Sequence, residues 1–300
     1  MSISLKKIGI TSLVVVLLIS TVFFFIHSWG KEQEAKPKVE ETVSKVSASA
    51  RVVKSSVQQI KPEANTPPKL SATQQTKPVA NTNHLPATSK RRFLICIDPG
   101  HQRKADLGKE PVGPGATETK IKVTGGTTGV TSGKPEYVLA LQASNMLKDL
   151  LEAKGFQVIM TRTSNDVDLS NRERAEIANQ HRADLFIRIH ADGSENPNTK
   201  GLSVLTPSSN DPYTHAIYAD SLKVSQLILK KVKKDRAITV LGLRYREDLS
   251  GFNWSKVPST LIEMGYMTNP KEDKNLSDPV YLKRLLGDIA DGIAAYADGT

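Results

Sequence analysis

Three side chains that can bind metal ions or transfer protons lie at the ends of predicted strands. His101 follows an apolar strand and a Pro-Gly turn, His190 ends a second apolar strand, and Glu263 lies near the end of a third. In open α/β sheets, ligand sites gather at the carboxyl ends of the strands. A tight turn would also hold His101 at a fixed position on the rim of the sheet. The pattern therefore predicts a metal or proton-transfer site at this edge.

Zinc is a metal that this set of side chains can bind. Catalytic zinc sites use three protein ligands and keep one position open, and two histidines with one glutamate are an attested set. Glu136, directly after Pro135 at the start of a predicted helix, is the candidate third ligand. A glutamate in a first helical turn is also favoured by the helix dipole alone, so spacing leaves this assignment open.

The elements that must position these side chains alternate between strand and helix. Strands are expected at 93–98, 156–160, 185–190, 202–205, 243–246 and 260–264, and helices at 135–154, 170–181, 214–233 and 279–297. This alternation predicts a three-layer α/β/α domain around a mainly parallel, mixed central sheet of about six strands. The Gly- and Thr-rich segment 102–134 is too irregular to predict an element.

The N-terminal region predicts a membrane anchor. Residues 8–26 are apolar and uncharged, and 19 residues in a helix span about 28 Å, close to the hydrocarbon thickness of a bilayer. We expect residues 1–30 to be an uncleaved signal anchor that crosses the membrane through residues 8–29. The preceding lysines place its N-terminus in the cytoplasm and the rest outside. A cleaved signal peptide followed by secretion is the alternative.

Residues 31–92 predict a disordered, basic linker between the anchor and a domain at 93–300. This segment has few large apolar residues and cannot bury enough surface to fold. Residues 1–92 hold 14 of the 41 Lys and Arg residues but 5 of the 31 Asp and Glu residues. The domain is therefore almost neutral, which argues against a nucleic-acid-binding domain. The basic linker favours anionic wall polymers or lipid headgroups as partners, or simply solvation.

The single cysteine, Cys96, lies inside the first apolar strand. One cysteine excludes an intramolecular disulfide, and a cysteine in such a strand is usually a small core residue. We expect Cys96 to have a packing role.

Four segments together resemble a known enzyme family. ICIDPGHQ, GKPEYVLALQASNMLKDLLEAKGFQVIMTR, LFIRIHADGS and PSTLIEMGYMTNP resemble, in order, the four blocks of zinc-dependent N-acetylmuramoyl-L-alanine amidases of the AmiC/CwlC type. The resemblance covers residues 93–296. It implies a mixed-sheet α/β fold, a Zn²⁺ ion held by His101, Glu136 and His190, and Glu263 as the catalytic carboxylate. It also implies peptidoglycan as the substrate, cleaved between muramic acid and the L-alanine of the stem peptide by zinc-activated water.

Two further polar residues lie close to the predicted ligands. Arg188 shares a strand face with His190, where many relatives carry a small polar residue. Three roles are open for it: pairing with Glu263, binding a substrate carboxylate, or a structural ion pair, which we favour. Asp98 is expected to orient His101 or cap the turn rather than to bind metal. The long segment 102–134 could cover the cleft.

Two other functions remain open at this point. A zinc peptidase or a deacetylase acting on cell-wall material would use the same metal on a different bond. A non-catalytic wall-binding module would keep the scaffold without the chemistry, although all four candidate residues are present. We expect an extracytoplasmic enzyme in the cell wall, attached to the membrane.

Overall fold

The structure, a computed structural model, describes residues 92–299. Its eight strands form a six-stranded sheet and a two-stranded hairpin. In chain order they are β1 (Leu94–Pro99), β2 (Asp106–Pro111), β3 (Thr119–Val123), β4 (Gln157–Met160), β5 (Leu185–Asp192), β6 (Leu202–Pro207), β7 (Val240–Arg246) and β8 (Ser259–Tyr266).

The main sheet has the strand order β4-β1-β5-β8-β6-β7. The first four strands run parallel, β6 runs antiparallel to β8, and β7 runs parallel to β6. All six strands of this sheet were predicted from the sequence. The expected mixed, mainly parallel sheet is confirmed.

Within residues 92–299, six helices accompany the strands. They are α1 (Glu136–Ala153), α2 (Asn171–Gln180), α3 (Tyr218–Val232), α4 (Ser250–Asn253), α5 (Pro270–Ser277) and α6 (Pro279–Ala297). The four predicted helices are present, although α3 begins at Tyr218 rather than at residue 214. The Ser170–Glu173 capping box at the start of α2 has both of its hydrogen bonds, as its spacing indicates.

Helices cover both faces of the sheet, but the two faces differ in composition. One face, here called the core face, packs isoleucines of β1 and β5 against apolar side chains of α1, α3 and α6: Ile95, Ile97, Ile187, Ile189, Leu147, Ile228 and Ile289. The opposite face, here called the site face, packs against α2 and carries the alternate residues: Cys96, Asp98, Phe186, Arg188 and His190. Cys96 is free and buried there, consistent with the packing role.

The segment 102–134 is more ordered than the sequence indicates. It contains the β2–β3 hairpin, so the expectation of no regular element there was wrong. The two strands are short and mostly exposed, which leaves little alternation of apolar and polar residues to detect.

The predicted anchor at 1–30 and linker at 31–92 lie outside the described residues, apart from Arg92. Within 92–299, no helix is long and apolar enough to cross a membrane.

Candidate metal centre

His101 lies two residues beyond β1, on a turn that contacts β5. Its backbone φ is 58°, in the left-handed region that few residues with a Cβ adopt. The Gly100 N–H donates to the Ile189 carbonyl at 2.9 Å. A Cβ at Gly100 would lie 2.3 Å from the His190 ring, so the turn passes directly against this imidazole. As a result, the ring centroids of the two histidines are 4.8 Å apart.

Glu136 is the first residue of α1, and its carboxylate lies between the two imidazoles. Its Oε1 is 3.1 Å from His101 Nε2 and 3.1 Å from His190 Nδ1. The Ala191 N–H donates to the same oxygen at 3.1 Å. One ligand atom from each of the three side chains lies within 4.8 Å of the others. The structure thus brings together the three residues predicted as zinc ligands, while their role as ligands stays a prediction.

The loop that follows the β2–β3 hairpin contacts two of these side chains from outside. His101 Nδ1 donates to the Thr124 carbonyl at 2.9 Å, which leaves Nε2 facing Glu136. The Thr127 N–H donates to Glu136 Oε2 at 3.0 Å. A Cβ at Gly126, whose φ is 78°, would lie 2.6 Å from Glu136 Oε2. The loop therefore orients one imidazole and one carboxylate, and only a glycine fits between them.

The surroundings favour the protonation states that a metal needs. Burial lowers the pKa of His190 to about 4, which keeps this imidazole neutral at neutral pH. Burial alone would raise the pKa of Glu136, but the adjacent imidazoles of His101 and His190 hold it below its ordinary value. A neutral imidazole and an ionised carboxylate are the forms that coordinate metal ions.

These residues fit a zinc ion. Two imidazoles and one carboxylate match a known catalytic donor set, and the contact from His101 to Thr124 is the outer hydrogen bond that zinc-binding histidines usually make. His190 Nε2 is buried and has no hydrogen-bond partner among the described residues. The side chain of His101 is 15% exposed, so the cluster is reachable from solvent.

Glu263 lies beside this cluster on the site face. It is level with His190 on the neighbouring parallel strand, so both side chains point to the same side of the sheet. Its Oε2 is buried and has no hydrogen-bond partner within residues 92–299. Burial, with the nearby carboxylates of Glu136 and Asp192, raises the pKa of Glu263 well above its ordinary value. A carboxyl group with a raised pKa keeps its proton to a higher pH than an ordinary glutamate does.

Comparison with known proteins decides the family. The model of the N-acetylmuramoyl-L-alanine amidase family matches residues 95–295, about two thirds of the chain. The chain belongs to this family. The resemblance stated above is confirmed, and the chain is an enzyme of a hydrolytic family rather than a non-catalytic module.

Relatives and solved structures agree with this assignment. The amidase is 28% identical to a Mycobacterium tuberculosis N-acetylmuramoyl-L-alanine amidase over 214 residues, which cover 68% of this chain and 86% of the relative. It is 27% identical to AmiA of Salmonella typhimurium over 257 residues, which cover 72% and 81%. The crystal structure of an N-acetylmuramyl-L-alanine amidase from Mycobacterium smegmatis is similar, with 27% identity and a TM-score of 0.63. That match covers 69% of this chain and 98% of the other.

Asp98 and Arg188 form a buried ion pair beneath the site of the amidase. Arg188 Nε donates to Asp98 Oδ2 at 2.8 Å, and both side chains are almost fully buried. Arg188 therefore forms a structural ion pair, the role that we favoured, and its partner is Asp98. Asp98 accepts further hydrogen bonds from Arg174 and Thr161 and makes none to His101. Of the two roles expected for Asp98, orienting His101 falls to Thr124 instead, which accepts from His101 Nδ1.

Several other residues around the site of the amidase were not predicted from the sequence. Thr124, Gly126 and Thr127 act largely through backbone atoms and close approach, which residue type does not reveal. Arg244 was also missed: it is exposed on β7, and its guanidinium donates to the Tyr266 hydroxyl at 3.1 Å. An inventory of arginines near predicted strand ends would have included it.

Proposed function

We propose that the amidase hydrolyses the bond between N-acetylmuramic acid and the L-alanine of the peptidoglycan stem peptide. In this proposal His101, Glu136 and His190 hold a zinc ion, and Glu263 transfers the proton. The single observation that carries the proposal is the position of Glu263. Its Oε2 atom is buried without a hydrogen-bond partner among residues 92–299, and Glu263 is level with His190, beside the three-residue cluster.

Each residue has a defined part in this chemistry. When bound, a zinc ion polarises the scissile carbonyl, promotes deprotonation of water and favours the ionised form of a nearby carboxyl group. Glu263 accepts the proton of the attacking water and then delivers it to the departing alanine nitrogen. The raised pKa of Glu263 suits the delivery step, because a strongly acidic carboxyl group would retain no proton to give.

Replacement of Glu263 by Gln tests its role. We expect digestion of purified peptidoglycan by the full-length Glu263→Gln chain to fall by a factor of about 10²–10⁴, the usual contribution of general acid–base catalysis. Zinc content, measured by metal analysis, should stay equal to that of the wild type. Glu195→Gln, at an exposed glutamate, is the matched control and should keep full activity. Full turnover by Glu263→Gln would remove this residue from the mechanism.

Mass spectrometry of the digestion products tests the choice of bond. Intact stem peptides that begin with L-alanine would support the proposal. Stem peptides cut internally would instead identify a zinc peptidase, and loss of acetyl groups would identify a deacetylase.

We also propose that the amidase acts outside the cytoplasm, attached to the membrane through residues 8–29. Support comes from the uncharged length of residues 8–26, the lysines before them and the basic composition of residues 31–92. The basic residues would favour anionic wall polymers or lipid headgroups. Recovery of the full-length chain in the membrane fraction, with the domain digested by protease added to intact protoplasts, is the expected result. A soluble, shortened chain in the medium would indicate cleavage after export.

A further inference from the structure

Two buried arginines lie directly beneath the turn that carries His101. Arg162 follows β4 and is 3% exposed, and Arg174 lies in α2 and is fully buried. Neither was assigned a role at the zinc site or in the chemistry. Their contacts show that they hold the backbone that presents the ligands.

Arg162 uses all five of its N–H groups on neutral oxygen atoms. The hydrogen bonds are 2.8–3.1 Å long, and the acceptors are the carbonyls of Pro99, Gly100, Tyr137 and Ser164 and the side-chain oxygen of Asn165. None of these acceptors is a carboxylate. A buried charge is costly to desolvate, and neutral acceptors offset this cost only partly. Simple stabilisation of the fold is therefore a poor explanation for a guanidinium at this position.

Arg174 completes the contacts to the turn. It donates to the Pro99 carbonyl at 2.8 Å and to the His101 carbonyl at 3.1 Å, and it also pairs with Asp98 at 2.8 Å. Together the two arginines bind three successive carbonyls, at residues 99, 100 and 101. These are the peptide groups that set the left-handed conformation of His101.

The Gly100 peptide joins the backbone segments of all three candidate ligands. Its N–H donates to the carbonyl of Ile189, the residue before His190. Its carbonyl accepts from Arg162 Nη2, which also donates to the carbonyl of Tyr137, the residue after Glu136. One guanidinium therefore links the turn of His101 to the first turn of α1.

We propose that Arg162 is a positioning residue for the metal centre, which holds His101 and Glu136 at the separation that zinc binding requires. Arg174 supports the same turn from the side of α2. This inference rests on the proposed zinc site. It predicts that loss of the five-donor geometry weakens zinc binding even when the fold and the positive charge are retained.

Replacement of Arg162 by Lys separates geometry from charge, because an ammonium group has three donors and no planar fork. We expect the full-length Arg162→Lys chain to bind zinc about 10–100-fold more weakly than the wild type, the usual effect of losing an outer contact of a metal site. Zinc affinity is measured by competition with a chelator. His190→Ala removes a candidate ligand, so the zinc that this variant still binds measures zinc binding elsewhere on the protein.

Two controls exclude an indirect effect. Arg284→Lys changes an arginine on α6 that pairs with Asp235 and whose own side chain is half exposed, and it should leave zinc affinity unchanged. Ile289→Val removes a methylene from the core face and lowers stability without touching the arginines. If Ile289→Val weakens zinc binding as much as Arg162→Lys at equal loss of thermal stability, the positioning role is overturned.

Cobalt substitution supplies a second measurement that a purely structural role would not change. The visible absorption of bound Co²⁺ reports its coordination geometry, so we expect Arg162→Lys to shift or weaken these bands. Unchanged bands and unchanged zinc affinity would overturn the proposal. If Arg162→Lys does not fold, Asn165→Ala is the substitute, because it removes a single acceptor of the Arg162 guanidinium. We expect a smaller loss of zinc affinity in Asn165→Ala. Wild-type zinc affinity in that variant would overturn the proposal.

Failure of this inference can be told apart from failure of the proposed function. A wild-type chain that binds no more zinc than His190→Ala would contradict the zinc site itself. A wild-type chain that binds zinc tightly, next to an equally tight Arg162→Lys chain, would contradict only the role of Arg162.

Discussion

The two faces of the central sheet use the same strands for different purposes. On the core face, Ile187 and Ile189 of β5 are fully buried among aliphatic side chains of the helices. On the site face, Arg188 and His190 of the same strand contact Asp98 and Glu136. Successive residues of one strand therefore alternate between apolar packing and polar contacts.

The two faces therefore contribute differently to the stability of the fold and to the positions of the candidate ligands. Apolar packing on the core face is non-directional and tolerates small changes in shape. The hydrogen bonds and ion pairs on the site face have fixed lengths and angles, so they determine where His101 and Glu136 lie. Removal of one partner there leaves another buried polar group without a partner, which costs more than the lost contact alone.

The largest effect is expected from Asp98→Ala on the site face. This change leaves the buried guanidinium groups of Arg174 and Arg188 without their carboxylate, so we expect a loss of about 3–5 kcal/mol in the free energy of unfolding. Chemical denaturation measures it. Asp166→Ala is the matched control, because Asp166 pairs with Arg103 at 2.7 Å but both are largely exposed; about 0–1 kcal/mol is expected there. Equal losses would contradict the contrast between buried and exposed pairs.

The pH dependence of this effect has a definite sign. Burial alone would raise the pKa of Asp98, but Arg174 and Arg188 hold it below its ordinary value. A lowered folded-state pKa adds stability that is present above the unfolded-state pKa of about 3.9 and is lost as the pH falls towards the folded-state value. The stabilities of the wild type and Asp98→Ala should therefore converge in acid.

A smaller effect is expected from Gly126→Ala in the loop over the ligands. A Cβ there would lie 2.6 Å from Glu136 Oε2 and 3.0 Å from His101 Cδ2, at a φ of 78°. The left-handed backbone costs about 1–2 kcal/mol for a residue with a Cβ, and displacement of the two side chains should weaken zinc binding about tenfold. Chelator competition measures the affinity.

Gly115→Ala is the control for Gly126→Ala. Gly115 has a φ of 76°, but a Cβ there would have no neighbour within 4 Å. Backbone strain is thus matched while the contact with the ligands is absent. If zinc affinity falls by the same factor in both variants, the close packing of Gly126 on the ligands does not contribute to zinc binding.

Most of the fold was predictable because its elements carry strong periodic patterns. Each of the six strands of the main sheet contains a short apolar run, and α1 and α6 have long apolar stripes. α5 was missed because it is polar apart from Leu276, although Asn269 caps it and Pro270 begins it. The β2–β3 hairpin is exposed on most of its length and has no apolar alternation to read.

The candidate site was predictable only as far as side-chain chemistry and strand ends allow. His101, His190 and Glu263 could be assigned to one edge of the sheet, while Glu136 needed the resemblance to a family. Arg162 and Thr124 could not be assigned, because their roles depend on which backbone carbonyls the fold brings close to them. Any residue can supply a backbone carbonyl, so the residue type at the acceptor position does not reveal such a hydrogen bond.

The smallest effect is expected from Ile187→Val on the core face. Ile187 is fully buried and adjacent in sequence to Arg188, but it points to the opposite side of β5. Loss of one methylene there should lower the free energy of unfolding by about 0.5–1.5 kcal/mol, which corresponds to a melting-temperature decrease of a few degrees. Zinc affinity should stay at the wild-type value, because no hydrogen bond of the site face changes. Calorimetry and chelator competition on the same sample measure both quantities, and a parallel drop in zinc affinity would show that the two faces are mechanically coupled rather than separate.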